Sequence, residues 1–509
     1  MYLRNVKISA ARSIRRAALA FEEGAEAGWH VVIGANGTGK STLIRAIVLA
    51  LIGERDIEAS LVDLGRWVRP GGAPPEIEVT VTGDVPDDEG PSRPAATHHW
   101  SVVIVEDEGG RGFQAVLRGR RSSKPWQQGS GWFSAAYGPF RRLSGGDRTF
   151  DTPRIRSSRL GAHMSALNDG FALSEAESWL VDLYVEEMEA TKALIRSFED
   201  SPIGTEVLRS FALMGAAGDV DGRDVLLAEA ERGFADMESQ VNRRMRHGRV
   251  KAVMRAILTE DLEGGTVDLT LTVHSVHRRI IRFFNDSGFL FDDLKVVGVD
   301  GEGVSVMLGD VVVRMSQLSD GFRAVLAIGL ETLRLMHASY GPERLLRHLD
   351  DSTGALDLPG VVLIDEIEAH LHPPWQEEVG AWLMRRFPRV QFIVTTHSPI
   401  VCRSMAADDG TVRGSLWEFR ADDDDEESLR RVEGQRLGRL VFGDLVEAVG
   451  TNAFGRHVAQ SDAAADLLDR LAELNRLQVR GTLDAEGRSE LATLRGTFPT
   501  RAPDPGDDA

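Results

Sequence analysis

Apolar positions along the chain fall into runs of two periods. His30-Val31-Val32-Ile33, Val361-Val362-Leu363-Ile364 and the Phe392-Ile393-Val394 stretch are short unbroken apolar runs. Strands buried on both faces of a parallel sheet look like this. The first run ends in a glycine-rich turn and leads into Ser41–Gly53, an apolar, helix-compatible stretch. Residues 1–53 thus predict strand, turn, strand, glycine-rich loop and helix, with Tyr2, Val6 and Ile8 on the opening strand and Arg12 and Arg15 in a basic turn. Residues 76–82 alternate like a half-buried strand, 83–99 have loop composition, and 100–117 predict a hairpin around Glu108-Gly109-Gly110.

The period changes near residue 174. Ser174-x-x-Glu177 forms a capping box before Trp179, Leu180, Leu183, Tyr184 and Met188, which share one helical face. Residues 174–260 read as mainly helical, broken at 214–224. Strand-like alternation returns over 266–315 around a helical stretch near 277–286, and 322–338 reads as a further helix. SLWEF at 415–419 predicts a last strand, and DDDDEE at 422–427 a solvated acidic loop. Residues 461–496 predict a helical hairpin, with Leu467, Leu468, Leu471, Leu474 and Leu477 along one side and Gly481 ending its first helix. The tail from 500 is expected to be disordered. The expected organisation is an N-terminal core lobe over 1–173, a helical insertion over 174–262, a C-terminal core lobe over 263–420 and a C-terminal extension over 421–509.

Composition narrows the function classes. The 509 residues are 42 % hydrophobic and 27 % charged, which is ordinary for a globular protein. A net charge of −19 argues against a general nucleic-acid coat, leaving only local arginine-rich patches for DNA. Two such stretches are Arg243 to Lys251 and Arg111 to Lys124. One cysteine, Cys402, permits no internal disulfide and no Cys-x-x-Cys metal hook, and reads as a small buried side chain. No apolar run reaches the ~18 residues of a membrane span, and MYLRNVKISA lacks a signal-peptide core, so a cytoplasmic location is expected.

Four motifs carry chemistry. Gly34-Ala-Asn36-Gly37-Thr38-Gly39-Lys40-Ser41 is G-x-x-x-x-G-K-S between a strand and a helix. Glycines let backbone N–H groups wrap a phosphate, the helix N-terminus favours an anion, Lys40 reaches the β- and γ-phosphates, and the Ser41 hydroxyl suits Mg²⁺. Roughly 0.01 chance matches are expected in a chain of this composition. Asp365-Glu366 closes the second apolar strand, where Asp365 can hold Mg²⁺ and Glu366 can deprotonate an attacking water. His397 closes the third strand as a candidate γ-phosphate sensor. Leu318-Ser319-Asp320-Gly321-Phe322 opens a helix, as a second anion site or an ordinary N-cap.

With these motifs in this order the chain resembles the ABC-class ATPases, in the soluble branch of SMC, RecF and overcoming-lysogenization-defect proteins. GANGTGKS resembles their Walker A motif, LSDGF their signature, VVLIDE their Walker B motif and TTHS their switch histidine. IDEIEAHLHPPWQ is especially like small bacterial members labelled AAA-family ATP-binding proteins. The resemblance implies an α/β ABC-type core with a mixed sheet over 1–83, about 100–145 and about 265–420. It implies ATP and Mg²⁺ as cofactors and a homodimer that sandwiches two ATP molecules. Gly34, Asn36, Gly37, Thr38, Gly39, Lys40, Ser41 and Thr42 would cradle the nucleotide, and Arg12 would approach it. Ser319 and Gly321 of one protomer would meet the γ-phosphate bound to Lys40 of the other. Glu366 would be the general base, His397 would contact the γ-phosphate, Ser41 and Asp365 would hold the metal, and Glu368 to His372 would lie at the dimer interface.

Departures refine the expectation. Asp320 stands where transporters have glycine. Leu143-Ser-Gly-Gly-Asp147 mimics the transporter signature but lacks a following helical pattern. Tyr137 to Arg141 is placed near the Q-loop. Val432-Glu433-Gly434 has no later Asp-x-Asp, so no intrinsic Toprim nuclease is expected. Metal binding by His370 and His372 is not favoured. The leading expectation is an ATPase subunit of a bacterial antiviral defence system, like those of Septu and retron modules, that controls a separate effector nuclease. The alternatives are a RecF/SMC-like DNA-repair ATPase that binds DNA directly and a slow ATP-held scaffold.

Overall fold

The computed structural model describes residues 1–83, 97–110, 112–119, 132–141, 159–173, 175–199, 276–285, 294–350, 352–407, 409–420, 427–443, 462–479, 482 and 484–497. Its centre is a six-stranded sheet. Five of its strands are β3 (Gly28–Ile33), β7 (Ser134–Tyr137), β11 (Gly360–Ile364), β12 (Val390–Thr396) and β13 (Ser415–Phe419). The sixth is β14 (Leu429–Val432), and the order is β14-β13-β3-β12-β11-β7. All pairings are parallel except β13–β14. The unbroken apolar runs of β11 and β12 are buried along their full length, as a sheet covered on both faces requires. N-terminal and C-terminal segments share this sheet, so the two core lobes form one split core.

Helix α1 (Lys40–Ile52) follows β3 and buries eleven of its thirteen residues. A helix this apolar on all sides must be enclosed. Its neighbours are β1 (Tyr2–Ala11), β4 (Glu76–Thr82) and β5 (Thr97–Glu106) on one side and β7 and β12 on the other. Trp100 Nε1 donates to the Ala50 carbonyl at 2.9 Å and ties α1 to β5. The second sheet is antiparallel, in the order β2-β1-β4-β5-β6, with β2 at Ile14–Ala20 and β6 at Phe113–Arg118. The expected hairpin at 108–110 is present between β5 and β6. The opening segment differs from expectation: residues 1–33 hold three strands, because β1 and β2 form a hairpin. In β2 the consecutive exposed Arg15 and Arg16 interrupt the alternation that marks a strand. β5 also begins inside the stretch expected as loop, at Thr97.

A third sheet, β10-β9-β8, comprises Val311–Arg314, Gly303–Leu308 and Leu294–Asp300. It packs with α3 (Glu175–Glu199) and α4 (Val276–Asn285), while α3 also meets α5 (Asp320–Tyr340). Short helices number onward as α2 (Glu54–Ala59) and α6 (Pro342–His348). Asn285 bridges both backbone groups of Val296, at 2.6 and 2.8 Å. The expected insertion therefore does not start free of the core at 174. Ala176 and Leu180 are buried in the main core, Glu175 pairs with Arg334 at 3.2 Å, and Glu177 accepts from the Val304 N–H. The capping serine at 174, residues 200–275 and the basic block at 243–251 lie outside the described residues.

The boundary expected at 420 also moves. β14 extends the central sheet, and α9 (Gly434–Phe442) buries Leu440 and Val441 in the main core. Earlier in the chain, α7 (Pro373–Arg386) follows β11 and α8 (Pro399–Arg403) follows β12. The C-terminal hairpin forms as expected from α10 (Asp462–Val479) and α11 (Ala485–Thr497). Leu471, Leu474, Leu491 and Leu494 make its seam, and Arg470 bridges to Glu490 at 2.8 Å. Leu467 is exposed, outside that seam. Most of the acidic run, the LSGGD stretch, Gly481 and the tail lie outside the described residues. Cys402 is buried, which pushes its thiol pKa up.

Candidate active site

The carboxyl ends of β3, β12 and β11 lie side by side, so the residues that follow them converge. Ligands of open α/β sheets bind at this edge. The loop after β3 turns sharply enough to start α1 at Lys40. Gly39 has φ +116°, and a Cβ there would sit 3.0 Å from Ile14 Cγ1 and 3.1 Å from Ser13 Oγ. Both the backbone angle and the close hairpin therefore call for glycine. Lys40 Nζ donates to the carbonyls of Gly34 and Ala35 at 2.6 and 2.9 Å, and Thr38 Oγ1 donates to Ala35 at 2.9 Å. α1 has no side-chain cap and no acid in its first turn, which leaves its amides and its dipole to an anion. Burial lowers the Lys40 pKa to about 8, against the raising effect of Glu368, Asp365 and Glu366.

A cavity of about 470 Å³ opens over this loop. Ligand sites commonly span about 300–1,000 Å³. Asn36, Gly37, Gly39, Lys40, Ser41 and Thr42 line one side, Ser13 another, and Glu366 and His397 face them. Gly34 and Thr38 shape the loop without lining the cavity. Asp365 is 2 % exposed and does not line the cavity, and its Oδ1 accepts from Thr395 Oγ1 at 2.5 Å. The same Thr395 Oγ1 accepts from the Glu366 N–H at 2.9 Å. Glu366 Oε1 stands 3.4 Å from His397 Nε2, and the His397 N–H donates to Glu368 Oε1 at 2.5 Å.

Three placements differ from a single shared site. Arg12 does not line the cavity: its guanidinium lies over the Trp67 ring, 4.6 Å from the centroid, and its neighbour Ser13 takes the cavity position. Ser319 caps α5 without a side-chain bond, and neither Ser319 nor Gly321 lines the cavity. A Cβ on Gly321 would come within 2.6 Å of the His370 carbonyl oxygen and 3.0 Å of Trp375 Cζ3, so the glycine lets α5 seat on the loop after β11. Glu368, expected at a dimer interface, bonds within its own chain to the backbone of His397. Ser13, Glu368 and Arg141 are the site residues whose parts the motifs do not disclose.

The donor set bears on metal binding. Among the described residues no group of three or more His, Cys, Asp or Glu side chains forms a metal cage. Ser41 brings a hydroxyl to the cavity lining, whereas the Asp365 carboxylate is buried beside Glu366, outside that lining, and its Oδ1 is engaged by Thr395. Mg²⁺ accepts such an oxygen set when phosphate oxygens complete it. No helix among the described residues is long and apolar enough to cross a membrane.

A parallel sheet with G-x-x-x-x-G-K-S after one strand, Asp365-Glu366 and His397 after its neighbours, and LSDGF opening a packed helix defines an ABC-class P-loop ATPase fold. Residues 276–403 match the family model described as "AAA domain, putative AbiEii toxin, Type IV TA system". "Retron Ec83 probable ATPase" of Escherichia coli is 41 % identical over 96 residues, 19 % of this chain and 16 % of that one. "Septu protein PtuA" of Bacillus mycoides is 35 % identical over 92 residues, 18 % of this chain and 11 % of its own. "Retron Vc95 probable ATPase" of Vibrio cholerae is 31 % identical over 135 residues, 24 % and 26 % of the two chains. The matched segments thus span about a quarter or less of these relatives. The SMC head domain bound to the C-terminal domain of ScpA, from Pyrococcus furiosus, aligns with 85 % of this chain and 96 % of its own, at 15 % identity and a TM-score of 0.40.

Proposed function

We propose that the protein is a cytoplasmic, Mg²⁺-dependent ATPase of bacterial antiviral defence. Two copies close around two ATP molecules, and the nucleotide state controls a separate effector, a nuclease on another chain. The observation that carries this reading is the convergence of Lys40, Glu366 and His397 on one cavity at the phosphate-binding end of a parallel sheet. The segments shared with retron ATPases and Septu PtuA support the placement in defence.

Each residue then has a task. Backbone amides from Gly34 to Thr42 cradle the phosphates, and Lys40 neutralises the β- and γ-phosphate charge. Ser41 and Asp365 would hold Mg²⁺, which when bound neutralises charge on the phosphate oxygens. Glu366 takes a proton from the attacking water, and His397 contacts the γ-phosphate. Ser319 and Gly321, which do not line the cavity of their own chain, serve the nucleotide of the second copy. That division makes ATP the adhesive of the dimer and hydrolysis its release.

The test is expression of the chain with its genomic neighbours. A stable complex with a nuclease, and ATP hydrolysis by the purified complex, is the expected result. A lone monomer that hydrolyses ATP at full rate would overturn the dimer and effector parts. DNA-stimulated hydrolysis that falls steeply with salt would instead favour a DNA-repair ATPase.

A further inference from the structure

The turn after β7 brings a guanidinium to the back of the Glu366 loop. Arg141 is 4 % exposed and has φ +29°. Its Nη2 donates to the carbonyl oxygens of Asp365 and Glu366, at 2.9 and 2.6 Å. Its Nη1 donates to those of Ile367 and Ala369, at 3.2 and 3.3 Å. None of these four partners is a carboxylate. Neutral carbonyls compensate a buried charge only when several are held in fixed directions. The planar guanidinium fork suits such an array, and a lysine ammonium does not.

The clamped loop is strained. Glu366 has φ +48°, a left-handed angle that is unfavourable for a residue with a Cβ. Three bonds hold the residue there: its N–H donates to Thr395 Oγ1, and its carbonyl accepts from Arg141 and, at 2.9 Å, from the Ala369 N–H. This turn aims the side chain back into the cavity beside His397. The same segment reaches the signature helix, because the Tyr137 hydroxyl bonds Thr332 Oγ1 at 2.8 Å while the Tyr137 carbonyl accepts from the Asp365 N–H at 2.8 Å.

We propose that Arg141 is a positioning residue for the reaction in this cavity: it fixes the backbone of residues 365–369 and thereby the aim of the Glu366 carboxylate. The proposal rests on reading the cavity as an ATP-hydrolysing site. It separates Arg141 from the groups that touch nucleotide, since it acts through the backbone of another residue.

The test uses the full chain carrying Arg141→Lys or Arg141→Gln, alone and combined with Glu366→Gln. Steady-state hydrolysis of MgATP, ATP affinity, thermal melting and amide hydrogen exchange over 366–371 are measured. Arg141→Lys is expected to lower kcat about 10²-fold, as a misplaced catalytic group does, with KM and affinity for ATP little changed. Exchange over 366–371 should quicken while that of α1 and β3 stays the same. In the Glu366→Gln background the Arg141 substitution should add no further loss, because its effect passes through Glu366. Unchanged kcat with unchanged exchange would overturn the proposal, as would a loss that multiplies with that of Glu366→Gln. Faster exchange across the whole core would reduce Arg141 to a general folding role. If the unmodified chain hydrolyses no ATP, the reading of the cavity fails, and exchange over 366–371 still decides whether Arg141 fixes the loop.

Discussion

Oε1 of Glu366 lies 3.4 Å from Nε2 of His397, although the two residues leave different strands. Neighbouring parallel strands produce the meeting. Ile364 of β11 stands in register with Val394 of β12, so the next residues of both emerge at the same edge, facing Lys40. Thr395 locks the pair from below, donating to Asp365 and accepting from the Glu366 N–H.

The first prediction concerns the carboxylate. Glu366→Gln keeps the side chain's shape and replaces a basic carboxylate oxygen by an amide nitrogen that cannot accept a proton. Hydrolysis should fall by about 10²–10⁴. Binding should persist, and the ATP-bound dimer should accumulate because its release step is blocked. Phosphate release and sedimentation with ATP read the two effects. Undiminished hydrolysis would mean that another group is the base.

Lys40 gives a prediction in pH. Burial sets its pKa to about 8 in the free protein, and a bound polyphosphate favours its charged form. The free protein must therefore take up a proton on binding ATP once the pH exceeds about 8. Affinity should be flat below that pH and weaken above it, by up to about tenfold per pH unit. Titrations with a fluorescent ATP analogue from pH 7 to 9.5 would show the bend, and Lys40→Ala should abolish measurable binding. A flat profile through pH 9.5 would show that Lys40 does not titrate in this window.

The central strands and the site loops were legible because each strand is an unbroken apolar run that stops at a residue with chemistry: Gly34, Asp365 or His397. Local sequence suffices for that pattern. β2 was hidden by Arg15-Arg16, and the reach of the core past residue 420 depends on β14 pairing with β13, a tertiary fact. The role of Arg141 was illegible for a stronger reason. Its partners are backbone carbonyls that begin 224 positions further along, and a carbonyl leaves no trace in a side-chain pattern. Ser13 is similar, since its place beside Gly39 follows from the hairpin and from no motif.

Two buried histidines predict acid sensitivity. His30 Nε2 donates to the Glu26 carbonyl at 2.8 Å, so its Nδ1 must accept from Ser415 Oγ, which in turn accepts from Trp417 Nε1. His163 repeats the arrangement with the Arg159 carbonyl and Ser134 Oγ. Both rings are neutral in the fold, and burial lowers each pKa from 6.5 to about 4. The unfolded chain therefore binds more protons between those values. Stability is fully present above pH 6.5 and is lost as pH falls toward 4. Melting temperature should decline over that window, and His30→Gln, which cannot take up the proton, should flatten part of the decline. A decline of equal slope in the variant would remove His30 from the explanation.

The signature segment permits a contrast between two substitutions. Ser319 is exposed and makes no capping bond, so Ser319→Ala should change stability by less than about 0.5 kcal/mol. Gly321 is buried against the His370 carbonyl, and Gly321→Ala forces α5 or the loop after β11 to shift, at about 1–3 kcal/mol. If Ser319 meets the γ-phosphate of a second copy, Ser319→Ala should lower hydrolysis and ATP-driven dimerisation with an unchanged melting temperature. Gly321→Ala should lower all three. Mixing Ser319→Ala with Lys40→Ala chains sharpens the reading, because a mixed dimer can retain only one complete composite site, the one pairing an intact Lys40 with an intact Ser319. A head-to-tail sandwich has the two variants damaging opposite partners of each site. In a mixed dimer one nucleotide site then carries both lesions and the other carries neither. Partial recovery of hydrolysis on mixing is therefore expected. No recovery at any ratio would show that Ser319 and Lys40 serve the same chain's nucleotide, or that Ser319 serves none.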